Sequence, residues 1–412
     1  MCLFVLNELS SSITFTYSHL QLSYNMKYLL SNIERQYLGL EPIKPDWEYV
    51  EFKGDRYRPD STLVYENETI KRHIISTENS YQEYQYDDLT RERKYLLPKT
   101  RKGKEKKLTP STFERISPSG VFFHFEEDEV SIASYTTQTT FYSTRMESIQ
   151  IPTIAAFKIW LAQYIKQTTE KDQQELESFK ISKRKNVRAK PGDVFAFKMD
   201  RNNYGYGQVI ENIHKLRKEL PKNHDMNSIM GRALLIRLFH DKTEGLLTDV
   251  GRLKDIKTTP SQYIFDNLIF YGEHPIIGNF EIPKNKIDFP ISYGRVLGAP
   301  AEVQLQWGVI QKQKAVEHYN KHLEGFNELV PSGSPGHRIN NPYSKSSVGW
   351  HLDVDKQTLL DCIGQNSNEP YWNQKIYKMK LDLRNPINEV IRAELFRAFG
   401  IDQSTYYIEK NE

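Results

Sequence analysis

The stretch KPGDVFAFKMDRNNYGYGQVI, Lys190 to Ile210, decides the fold of the second half of the chain. Val194, Phe195 and Phe197 make an apolar strand, Arg201-Asn202-Asn203 turns the chain, and Tyr204 to Ile210 returns it as a second strand. Gly205 and Gly207 lie inside that returning strand. Glycine there weakens a strand unless something needs the room, so the pair predicts a bulge, a close backbone approach or a neighbouring ring packed over them. The Gly-Tyr-Gly run is not a dinucleotide fingerprint, because Ile210 stands where the third glycine belongs. It also continues a hairpin instead of opening a helix, so no helix N-terminus is aimed at a phosphate.

Downstream of the hairpin, a charged helix is expected around Asn212 to Leu220, followed by a strong strand at Ala233 to Phe239. Further strands are expected at Tyr263 to Tyr271 and around Val303 to Trp307, with a helix from Lys312 to Leu323. PSGSPGHRINNP, Pro331 to Pro342, has the composition of a linker, and Leu359 to Ile363 and Pro386 to Phe399 read as helical.

Upstream, the pattern is different. Ser31 and Glu34 form a capping box ahead of a short helix that Gly39 stops. Trp47 to Lys53, Thr62 to Tyr65 and Thr69 to Ile75 read as strands separated by Gly, Asp and Asn turns. Val121 to Phe125 and Val130 to Tyr135 form a hairpin around an acidic tip, and β-branched preference extends the Thr-rich run to Thr144 as strand. Pro152 then opens a helix whose Ile154, Phe157, Leu161, Tyr164 and Ile165 share one face. Glu170 to Lys185 reads as a second, largely solvated helix.

These readings divide the chain into a β-rich N-terminal domain over 26–150, a helical connector over 151–185, a β-rich domain over 186–325 and a loop with a short α/β C-terminal segment over 326–412. The fold class is α+β. Residues 1–25 are expected to be an extension from an upstream start site that contributes little. Residues 9 to 26 lack Asp, Glu, Lys and Arg, yet their Ser, Thr, Asn and Gln make them too polar for a membrane span.

With 412 residues the chain has room for two or three domains. Its 25 Tyr and 20 Phe suit half-buried pleated surfaces and argue against a mainly disordered chain. Lys and Arg number 56 against 53 Asp and Glu, leaving a formal charge of +3, so no global field recruits nucleic acid or membrane. A local patch could: Arg91 to Lys107 holds nine basic residues against two Glu, and Lys183 to Lys190 has no acid. Two cysteines build neither a disulfide framework nor a four-cysteine zinc site, and the cytoplasm is the expected compartment.

The familiar catalytic spacings are missing. There is no His-Glu-x-x-His, no Cys-x-x-Cys, no Gly-x-Ser-x-Gly and no phosphate loop ending in Gly-Lys-Ser/Thr. His318 and His322, four apart on an expected helix, lack a third ligand and read as surface residues. His351, Asp353 and Asp355 read as the solvent face of a strand. No catalytic residue, metal or cofactor is therefore expected. Three aromatic-glycine units stand out instead: Tyr204-Gly205-Tyr206-Gly207, Tyr271-Gly272-Glu273 and Tyr293-Gly294-Arg295. Glycine lets a bulky ring from a neighbouring strand pack over it, so one reading of these units is core architecture; the other is an interface, because Tyr and Arg are anchors that cover much area with little entropy to lose, and the sequence does not separate the two.

The strand from Gly192 to Ala196 and the Tyr204–Val209 return, with IIGN at Ile276 to Asn279 and DFPISYGR at Asp288 to Arg295, resemble the immunity protein 26 family over roughly residues 186 to 310. That resemblance implies a barrel-like or curved β-rich domain that acts by binding: a cytoplasmic antidote to a cognate toxin of a bacterial polymorphic toxin system. Asp193, Tyr204, Tyr206, Tyr271, Glu273, Tyr293 and Arg295 are the binding residues it points to. The expected partner is a protein toxin, not nucleic acid or a membrane, and no oligomeric state follows. The acidic tip, Glu126 to Glu129, would suit a basic toxin cleft. Two other functions are weighed: a hydrolase of the phosphotriesterase type, for which the clustered histidines are missing, and a nucleic-acid-binding defence module using the basic runs.

Overall fold

Ser31 starts the first helix by the predicted reciprocal cap. Its Oγ accepts from the Glu34 backbone N–H at 3.2 Å, and the Glu34 carboxylate accepts from the Ser31 N–H at 2.6 Å. The computed structural model describes residues 28–315, 353–364, 369–373 and 382–402, apart from positions 98, 223, 229–230, 248, 284–285 and 297–298. The expected extension over residues 1–25 lies outside the described residues. Helix α1, Asn32–Tyr37, packs on an antiparallel sheet through Arg35. That side chain is buried and donates from Nε to both oxygens of Glu83, which is itself fully buried and also receives the Tyr81 hydroxyl at 2.6 Å.

The N-terminal sheet runs in the order β1 (Glu48–Phe52), β2 (Ser61–Glu66), β3 (Thr69–Ser76), β4 (Tyr81–Arg91), β7 (Ser119–Glu126), β8 (Glu129–Ser134) and β9 (Thr139–Ser143). The short β5 (Tyr95–Leu96) and β6 (Lys106–Lys107) branch from β4, and α2 (Pro110–Phe113) follows them. Strand β4 lies in the middle of the sheet, although its sequence, YQEYQYDDLTR, signals no strand. Its alternation places Glu83 on the core face, where arginine partners make a carboxylate tolerable. The Thr-rich run becomes strand only from Thr139. A turn precedes it and a 3-10 turn, Thr144–Glu147, follows, because the Ser143 hydroxyl caps that turn.

Helix α3, Ile154–Gln167, covers the sheet with the expected face: Phe157, Leu161 and Tyr164 are buried against Phe123, Phe125, Val130 and Ile132. The Phe125 and Phe157 rings stack 4.9 Å apart at 9°. Burying one such side chain contributes roughly 1.5–3 kcal/mol. Helix α4, Glu170–Lys180, is shorter than expected and leads into a run in which Lys183, Arg184, Lys185 and Arg188 face solvent.

The predicted hairpin forms from β10 (Asp193–Lys198) and β11 (Asn203–Glu211), inside an antiparallel sheet ordered β13 (Gln262–Phe265), β12 (Ala233–Glu244), β11, β10, β14 (Ile276–Asn279). Phe195 stands opposite Gly207 and Phe197 opposite Gly205. A Cβ on Gly207 would lie 2.3 Å from the Phe195 ring, and one on Gly205 would lie 2.7 Å from that of Phe197. The glycines let the two rings cross their strand, and the pairing of β11 with β12 shifts register between them. The sheet is open, not a closed barrel. Its two faces bury separate cores, one around Phe195, Phe197 and Ile236 and the other around Ala196, Tyr206 and Phe239.

Three expected elements differ. The helix around Asn212 to Leu220 shrinks to α5, Ile213–Leu216. Tyr263 to Tyr271 is strand only to Phe265. Asp266 then takes a helical backbone conformation and opens α6, Asn267–Tyr271, which Gly272 closes at φ +85°. Lys312 to Ala315 is strand, not helix. It belongs to β17 (Ile310–Ala315), which pairs with β16 (Ala299–Trp307) across a two-residue turn where Gly308 has positive φ; β16 in turn pairs with β15 (Ile291–Val296). The rest of that expected helix and the Pro331–Pro342 loop lie outside the described residues. Helix α7, Lys356–Gly364, packs Leu359 on the five-stranded sheet, and α8, Glu389–Phe399, packs Leu395, Phe396 and Phe399 on the three-stranded one.

Candidate functional site

Strand β9 is an edge of the N-terminal sheet, and the loop after α6 reaches it. Between β9, α4, the β10–β11 hairpin and that loop lies a cleft of about 540 Å³. Thr140 and Phe141 come from β9, Lys171 and Glu175 from α4, Lys198 and Tyr204 from the hairpin, Tyr271 from the end of α6, Gly272 to Pro275 from the loop after it and Lys356 from α7. Lys183 and Lys185, between α4 and β10, complete the wall.

Glu273 is the residue that ties the walls together. Its carboxylate accepts the Thr140 backbone N–H at 2.6 Å, across 133 positions of sequence. Burial pushes the Glu273 carboxyl above its ordinary range, while the charge of His274 and the Thr140 N–H pull it down. The next residue, His274, is only 3% exposed. Its ring lies parallel to Phe195 and its Nε2 lies 2.9 Å from Asp353 Oδ1; its Nδ1 has no hydrogen-bond partner. Burial pushes Asp353 up, but His274's charge and hydrogen bond outweigh it and hold the carboxyl below the usual range. Lys356, on the same side, is pushed down by burial against the pull of Asp353 and Glu273.

Further cations line or flank the cleft. The Lys198 ammonium sits 4.9 Å from the centre of the Phe141 ring and 3.4 Å from Glu175. Arg184 lies 4.8 Å over the Tyr271 ring. The stem of Lys185 crosses Gly272, where a Cβ would come within 2.6 Å of it. Thus Gly272 serves twice, ending α6 and letting a lysine pass close to the backbone.

Of the seven binding residues read from the sequence, Tyr204, Tyr271 and Glu273 line this cleft. Asp193 does not: it is buried and holds the start of β10, accepting from the Lys190 N–H at 2.9 Å and from the Asn279 amide at 2.9 Å. Tyr206 is fully buried, with its hydroxyl bonded to Thr243 and receiving the Leu247 N–H at 2.9 Å. Tyr293 is fully buried edge-on to Phe399. These three side chains build the fold. Arg295 is opposite Val303 in the three-stranded sheet.

Sequence reasoning did not single out Thr140, Lys171, Lys198, His274 or Lys356 for this site. His274 does adjoin Glu273, but nothing in the spacing connects residue 140 with 273 or 274 with 353. The segment of Asp353 and Asp355 is not a strand. Asp355 accepts from the Thr358 N–H at 2.9 Å at the start of α7, while Asp353 holds His274. His318, His322 and His351 lie outside the described residues, and no group of three His, Cys, Asp or Glu among the described residues could hold a metal. At the acidic hairpin tip, Glu126, Glu127 and Asp128 are exposed, whereas Glu129 accepts from the Ser143 hydroxyl. In the basic stretch, Arg91 pairs with Glu105 at 2.7 Å and Arg93 with Glu48. No helix among the described residues is long and apolar enough to cross a membrane.

Comparison with known families finds a match to the family model described as Immunity protein 26, over residues 190–302. No curated protein and no solved structure matches the chain.

Proposed function

Since residues 190–302 belong to the immunity protein 26 family, we propose that this chain is a cytoplasmic immunity protein that binds and neutralises a cognate toxin of a polymorphic toxin system. The family match carries the reading. The cleft supports it by collecting Tyr204, Tyr271 and Glu273 at one place between the two large sheets. Half-buried tyrosines flanked by cations form a surface of the kind that protein interfaces use, with ring area to bury and charge to orient the partner. The exposed acidic tip at Glu126 to Asp128 offers a second patch of opposite sign.

Affinity purification of the tagged chain from its native host, with mass spectrometry of what accompanies it, tests this reading. A stoichiometric protein that survives moderate salt, arrests growth when expressed alone and is tolerated when co-expressed with the chain is the expected result. Recovery of nucleic acid only, lost as salt rises, overturns it.

A further inference from the structure

We propose that the lysine-lined cleft beside β9 is a binding site for a small ligand bearing two or more phosphate groups. The volume, about 540 Å³, lies within the roughly 300–1,000 Å³ of small-molecule sites. Five lysines from four separate parts of the chain converge on it: Lys171, Lys183, Lys185, Lys198 and Lys356. Lys171, Lys183 and Lys185 are exposed, and none of them pairs with an acid among the described residues. Like charges gathered around one cleft repel, so a lining that leaves three lysines without an acidic partner is one that an anion relieves. Ammonium groups act as point charges and suit phosphate oxygens without the fixed fork that a single carboxylate prefers.

The wall contains two carboxylates, and both act on lysines other than these three. Glu175 faces Lys198 at 3.4 Å, and Glu273, which accepts the Thr140 N–H, acts on Lys356. That same bond argues against an extended peptide as the occupant, because it uses a backbone donor of edge strand β9 that an added strand would need. His274 supplies the independent observation. It lines the cleft with a ring that is 3% exposed and fixed by Asp353 and Phe195, and its buried Nδ1 has no hydrogen-bond partner.

The cleft and the toxin reading can fail separately. Titration calorimetry on the full-length chain, at fixed ionic strength, compares tripolyphosphate, ATP and adenosine. Saturable one-to-one binding of tripolyphosphate and ATP, but not adenosine, is expected. The double variant Lys171→Glu/Lys183→Glu alters only exposed side chains. It should keep the wild-type melting temperature without ligand and lose about tenfold or more in affinity. Failure of both phosphates to bind at millimolar concentration overturns the proposal. So does equal binding of adenosine, or wild-type affinity in the folded double variant. A chain that captures its protein partner yet binds neither phosphate sinks this inference and leaves the toxin reading untouched.

Discussion

The backbone N–H of Thr140 donates to the side chain of Glu273 at 2.6 Å, joining the edge of the N-terminal sheet to the loop after α6. An edge strand exposes unpaired donors, and here a carboxylate from a distant segment covers one of them. The same loop carries His274, so covering the edge and building the cleft wall are one event.

Glu273 should leave a signature in the pH dependence of stability. Burial raises its folded carboxyl above the unfolded value, so its contribution is fully present below the unfolded pKa and is lost as pH rises through the folded one. Asp353, lowered in the fold, acts with the opposite sign: its contribution is present above the unfolded pKa and is lost as pH falls through the folded one. Subtracting the urea-unfolding profile of Glu273→Gln from that of the wild type should isolate a stability difference that declines with rising pH across and just above the carboxylate range. A flat difference would mean that the carboxyl titrates alike in both states.

The buried Arg35–Glu83 pair should be costly to break from one side. Glu83→Ala leaves Arg35 and Arg72 in the core without their shared carboxylate, and a loss of about 3–5 kcal/mol is expected in denaturant unfolding. Replacing an exposed ion pair, such as Lys53 with Asp60, should leave the unfolding midpoint almost where it was, because water screens both charges.

Gly207→Ala should destabilise the five-stranded sheet by roughly 1–3 kcal/mol, because the new methyl would meet the Phe195 ring. Phe195→Leu in the same chain should recover part of that loss. The two substitutions should therefore be non-additive in a double-mutant cycle, whereas Gly103→Ala, with open space around it, shares no such coupling with Phe195.

Arg384 should anchor the C-terminal segment. It donates to Asp382 at 2.7 Å, to the Ser261 carbonyl at 3.0 Å and to Asp288, bridging three parts of the chain from a nearly buried position. In Arg384→Met, limited proteolysis should cut near residue 382 at lower protease concentration than in the wild type, while the N-terminal sheet stays protected. Unchanged cleavage would place the anchor in the α8 packing alone.

Elements with a local cause were legible in the chain itself. The Ser31–Glu34 box, the apolar face of α3, the acidic hairpin and the ring-over-glycine hairpin at Phe195 and Gly207 each depend on residues close to one another in sequence. Periodicity and turn chemistry record such short-range causes. Which side chains face the cleft was settled only by the packing of distant segments. Strand β4 was illegible because its buried Glu83 needs Arg35, 48 residues away, and β17 because its Lys-Gln alternation becomes a strand only when β16 supplies the register. For the same reason Tyr206 and Tyr293 look in sequence like Tyr204 and Tyr271, yet two are core and two line the cleft. Tyr204 and Tyr206 even share one face of β11 and one apolar cluster, so how deeply each is covered is set by the segments packed over it, not by its neighbours in the chain.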